Sequence, residues 1–146
     1  MTVIVDVNIL FSALISPNST VAKLLIDPTL PIQRFSCHYA VVELFKHQSK
    51  IVKYAKKPVD DVIEDLYTII NNLHFYNESL IEHRHWREAD RLTSGVDSDD
   101  IAYVALALQK EGWLWTGDKK LTAHLRKMGF EHVVNTNDLY DILKIR

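Results

Sequence analysis

Acidic residues recur where this chain passes between apolar and polar segments: Asp6, Glu43, the run Asp97-Ser98-Asp99-Asp100, and Asp118. Asp6 closes Thr2-Val3-Ile4-Val5 and is followed two residues on by Asn8. Glu43 sits among Val41, Val42, Leu44 and Phe45, and the Asp97 run opens the apolar stretch Ile101 to Leu108. Asp118 follows Trp113-Leu114-Trp115-Thr116. Carboxylates placed at the ends of apolar elements are the oxygen ligands that a hard divalent cation needs. Crowding sharpens the point, because two carboxylates about 4 Å apart repel by roughly 4 kcal/mol at an effective dielectric near 20. A fold that gathers four must offset this with a cation or with raised pKa values.

Each acid also has a plainer reading. Asp97, Ser98 and Asp99 would cap a helix and complement its dipole. Three acids in four residues exceed what one cap requires, and Asp97 and Asp100 share a helix face; Asp99 is assigned to the cap. Asp6 could cap the helix after the first strand, but Asp6-Val7-Asn8 sets two oxygen-bearing side chains at the mouth of a sheet. Asp118 could equally be the N-cap of the helix beyond it. Glu43 lies opposite an apolar stripe of Val41, Leu44, Phe45, Ile51, Val52 and Ala55. It shares the polar side with Lys46, His47, Lys50, Lys53 and Lys57, either an ordinary wet face or a basic track suited to a phosphate backbone.

The elements that must position these residues read as alternating short strands and helices. Strands are predicted at 2–7, Ile32 to Cys37, Leu73 to Tyr76, Trp113 to Thr116 and His132 to Asn135. Helices are predicted at 8–15, 19–26, Tyr39 to Lys56, Pro58 to Asn72, 82–92, Ser98 to Glu111 (stopped by Gly112), Lys119 to Lys127 and Thr136 to Leu143. Short apolar strands between helices indicate an α/β sandwich around a largely parallel sheet. In such sheets ligands bind beyond the carboxyl ends of the strands, where Asp6 and Asp118 fall.

The totals agree with a modest globular chain. With 146 residues, 47% hydrophobic and 25% charged, it can bury a core as one domain spanning 1–146. A net charge of −2 means that any nucleic-acid surface must be local. The single Cys37 rules out an internal disulfide, and the apolar start is too short to span a membrane, so a cytoplasmic protein is expected. No Ser/His/Asp or Cys/His nucleophilic set is apparent.

Taken together, Val3-Ile4-Val5-Asp6-Val7-Asn8-Ile9-Leu10, the mid-chain Glu43, Val96-Asp97-Ser98-Asp99-Asp100-Ile101-Ala102-Tyr103-Val104-Ala105 and Leu114-Trp115-Thr116-Gly117-Asp118-Lys119-Lys120-Leu121 resemble a PIN-domain ribonuclease of the VapC-type toxins. The resemblance spans nearly the whole chain, although 77–96 matches no pattern of the family and Trp113 and Trp115 replace commoner aliphatics. It implies a three-layer α/β/α domain with a central, mainly parallel sheet of about five strands. It implies Mg²⁺ or Mn²⁺ held by Asp6, Glu43, Asp100 and Asp118, with Asp97 as an additional acid and Asn8 and Thr116 in support. The implied reaction is hydrolysis of RNA phosphodiester bonds, in a toxin blocked by a small antitoxin and often dimeric. Phe11, Leu14, Leu24 and Leu25 are candidates for such surfaces, and equally for the core. Two other readings stand beside it. One is a catalytically silent PIN-like module that binds RNA or protein. The other is a haloacid-dehalogenase-like phosphatase, disfavoured by Asn8 where that chemistry wants a second Asp.

Overall fold

In the computed structural model, residues 1–96 and 98–144 are described; the sequence-predicted acid Asp97 lies outside them. The chain runs β1 (Thr2–Val5), α1 (Val7–Ile15), α2 (Thr20–Ile26), β2 (Gln33–Cys37), α3 (His38–Lys46), α4 (Gln48–Ala55), α5 (Val59–Asn71) and β3 (His74–Tyr76). It continues through α6 (His83–Thr93), α7 (Ile101–Lys110), β4 (Trp113–Trp115), α8 (Lys119–Lys127), β5 (Val133–Val134) and α9 (Thr136–Ile142). Among the described residues the strands form one parallel sheet in the order β3-β2-β1-β4-β5.

Alternation along β1 builds the layers. Val3 and Val5 join one apolar cluster with Leu10, Leu25, Leu44, Ile51 and Leu66, from α1, α2, α3, α4 and α5. Ile4 points the other way, into a cluster with Leu92, Val104, Leu106 and Leu125 from α6, α7 and α8. A strand whose successive side chains face opposite sides can seed two cores, giving a three-layer α/β/α sandwich. Leu14, Leu24 and Leu25 belong to the first core and are buried, so they offer no interaction surface. Trp115 is fully buried, its indole N–H donating to Thr136 Oγ1 at the start of α9, 3.1 Å away. No single helix among the described residues is long and apolar enough to cross a membrane.

Beyond shifts of a residue or so at other ends, three differences from the sequence reading bear on the site. β1 ends at Val5, because Asp6 already acts as N-cap of α1. The predicted helix 39–56 is two helices, broken at His47 (φ −104°, ψ 20°), which ends α3 and starts α4. The break lets α3 pack on β2 and β3 while α4 turns against α1 and α5, and it leaves Phe45 exposed rather than in the core. The helix read as 98–111 begins with a 3₁₀ turn, Ser98–Asp100, before α7.

α7 ends in paired reverse bonds, Gly112 N–H to Ala107 O and Glu111 N–H to Leu108 O, the Schellman arrangement. The left-handed residue is Glu111 (φ 51°) rather than Gly112. Gly112 is needed for space instead: a Cβ there would come within 3.0 Å of the Thr2 backbone oxygen.

Candidate active site

β1 is the point where the order of the sheet reverses: the chain builds outward to β2 and β3, then returns to the other side of β1 with β4. Such a switch point opens a crevice at the carboxyl ends of the two strands. Asp6 leaves β1 there, its N–H bonded to the Trp115 carbonyl of β4 at 3.1 Å. Thr116 and Asp118 leave β4 beside it.

One hydroxyl joins the two acids. Thr116 Oγ1 donates to Asp6 Oδ2 at 2.8 Å and accepts the Asp118 N–H at 3.1 Å. Asp6 Oδ1 accepts the Asn8 N–H at 3.4 Å, and Asp118 Oδ1 caps α8 by accepting the Leu121 N–H at 3.0 Å. Both plain readings of these acids are therefore true as capping statements. Asp6 is nevertheless 2% exposed. Burial pushes its pKa up, the Asp118 charge adds to the rise, and the Thr116 and backbone hydrogen bonds only partly oppose it.

The opposite wall comes from α3. Glu43 pairs with His47 Nε2 at 3.3 Å, one turn on. Its carboxylate is held below its ordinary pKa first by a hydrogen bond from Tyr39, one turn back, and then by the Lys46 and His47 charges. His47 also meets the Phe11 ring edge-on, centroids 5.9 Å apart. Asp100 stands at the N-cap position of α7 but makes no capping hydrogen bond with its side chain.

Asp6, Asn8, Glu43, Asp100 and Asp118 all line one cavity of about 550 Å³. Asp99, assigned to the cap, lines it too. Of the lysine series only Lys50 lines the cavity; Lys46 and Lys53 are exposed on its flank. Lys57 is removed from that track, since it forms an ion pair with Asp65 of α5. Sequence reasoning passed over Tyr39, Tyr54 and Tyr103, which also line the cavity, and gave His47 no part in it. The signal for two of them was available: Tyr39 and His47 lie four residues either side of Glu43, on its own helix face. Among the described residues, the buried Tyr103 hydroxyl finds no hydrogen-bond partner, and its pKa is raised chiefly by that burial.

The chemistry of the donor set fits a hard divalent cation: carboxylate oxygens, one of them buried and raised in pKa beside a second acid. Among the described residues, no three of His, Cys, Asp or Glu converge closely enough to hold one ion. The acids line a common cavity without closing on a single point.

The sequence pattern of the PIN domain matches residues 4–133, most of the chain. The chain belongs to the PIN-domain family. The match spans the segment 77–96, which carries no recognisable motif of the family, and α6 fills most of it. PIN domains are generally nucleases that depend on divalent metal ions. No curated protein matches the chain. In fold, it is similar to a chain of VapBC2 from Rickettsia felis, solved bound to a DNA fragment from their promoter. That likeness has a TM-score of 0.66 at 15% identity, over 92% of this chain and 98% of the other.

Proposed function

We propose that this PIN-domain protein is a metal-dependent endoribonuclease and the toxin of a toxin–antitoxin pair. The observation that carries the reading is the Asp6–Thr116–Asp118 link at the switch point, facing Glu43 and Asp100 across one cavity. Asp6, Asp100 and Asp118 would hold Mg²⁺ or Mn²⁺ once the ion draws them closer than they stand here, with Glu43 shaping the site or holding a second ion. When bound, such an ion lowers the pKa of water and neutralises charge building on the phosphate.

The chain's own residues supply the rest. Thr116 fixes the orientation of Asp6 and the path of the backbone at Asp118. Tyr39 and His47 keep Glu43 ionised and aimed at the cavity. Lys50 places a positive charge where the RNA backbone would enter.

Membership of the PIN family displaces the phosphatase reading. The likeness to a VapBC2 chain supports a cognate antitoxin partner; a homodimer and a cytoplasmic setting complete the proposal.

The test is cleavage of end-labelled single-stranded RNA by purified protein with Mn²⁺ or with EDTA, wild type beside Asp100→Asn. Cutting that needs both the ion and Asp100 supports the nuclease. Equal cutting by the variant assigns the activity to a contaminant, and metal binding without any cutting favours the silent binding module.

A further inference from the structure

Two large rings stand open on the cavity wall. Tyr39, in the first turn of α3, and Tyr54, in the last turn of α4, both line the cavity that holds the acids, and each is 55% exposed. The break at His47 is what turns the two helices so that both reach it. Neither ring is needed to fill a core. Tyr39 lies one turn from Glu43 on the same helix, and both line the cavity.

Charge accompanies the rings. Lys53 Nζ lies 5.8 Å from the centre of the Tyr54 ring, and Lys50 lines the cavity between Tyr39 and Tyr54 in the chain. Open aromatic faces alternating with lysines are how proteins hold single strands: rings stack on bases, while cations follow the backbone. A duplex already stacks its bases on one another and presents only its backbone and groove edges to such a wall.

We propose that Tyr54, with Tyr39, forms a stacking subsite for unpaired nucleobases beside the acids. The inference deepens the ribonuclease reading and rests on it for the identity of the nucleic acid.

The experiment is fluorescence anisotropy in EDTA with a labelled single-stranded RNA roughly 12 nucleotides long and with its blunt duplex. Wild type is compared with Tyr54→Phe and Tyr54→Leu. Tyr54→Phe keeps the ring and binds the single strand within about twofold of wild type; Tyr54→Leu weakens it roughly tenfold or more, with duplex binding unchanged. An abasic residue moved along the single strand gives the same loss at one or two positions in the wild type. At those positions it adds little in Tyr54→Leu. This scan needs no folded variant.

The proposal is overturned if Tyr54→Leu binds the single strand like wild type, if it loses duplex binding equally, or if no abasic position matters. Cleavage with Mn²⁺, measured alongside, keeps the two claims apart. Cutting with Tyr54-independent binding removes the subsite and leaves the nuclease. Tyr54-dependent binding without cutting does the reverse.

Discussion

On the sheet side of the cavity Asp6 and Asp118 are held by backbone N–H groups and a shared Thr116 hydroxyl, whereas on the helical side Glu43 is held by the side chains of Tyr39 and His47. The first arrangement is buried at Asp6 and anchored to two paired strands. The second rests on partly exposed groups around a break in a helix. Strand ends are fixed by ladder bonds along their length, so acids placed there have little freedom. Side chains on a surface helix hold one another by contacts worth only a few tenths of a kcal/mol to about 1 kcal/mol each. The division suits a site that fixes one set of ligands and lets the wall adapt to a polymer.

The largest expected effect breaks the sheet side. Asp6→Asn should lower RNA cleavage on the order of 100-fold or more, since several kcal/mol of charge stabilisation pass through that carboxylate. Steady-state cleavage with Mn²⁺ measures it, and near-normal activity would contradict the role given to Asp6.

Thr116→Val keeps the shape and deletes the link. Hydrogen bonds to charged groups contribute about 1.5–3 kcal/mol, so thermal unfolding should show a Tm lower by roughly 5–10 °C for a chain of this size. An unchanged Tm would mean that Asp6 does not depend on the hydroxyl.

The helical side should respond more gently. Charge reversal at Lys50 and Lys53 should weaken RNA binding and flatten its salt dependence, while Lys57→Glu should leave both unchanged because Lys57 is turned toward Asp65. Equal effects at all three positions would restore Lys57 to the track.

Smallest of all is Tyr39→Phe. Tyr39 holds the Glu43 pKa below its ordinary value, so the carboxylate stays charged until the pH falls through that lowered value. Removing the hydroxyl raises the pKa, and the acid limb of the cleavage profile should move to higher pH with little change near neutrality. A pH–rate comparison checks the direction.

The same contrast explains what could be read from the sequence. Asp6 and Asp118 were placed at the mouth of the sheet because an apolar run of strand length ends just before each, and the ladder does the rest. The α/β sandwich around a parallel sheet followed from the same alternation of short apolar strands and helices, while its three layers were implied by the family resemblance. The helical wall was harder. Nothing at His47 announces a break, since neither Pro nor Gly is there; packing of α4 on α1 and α5 imposes it. That break decides that Phe45 is exposed and that Tyr54 reaches the cavity, and Lys57, just beyond α4, is drawn to Asp65. Spacing alone could not show that the turn before α7 is 3₁₀ or that Asp99 lines the cavity.

The most direct test of the account is the binding of Mn²⁺, followed by electron paramagnetic resonance, to wild type and Asp6→Asn without RNA. The account predicts a saturable site in the wild type that is strongly weakened in the variant. Equal binding by the two proteins, or none by the wild type, would contradict a cation held at the end of β1.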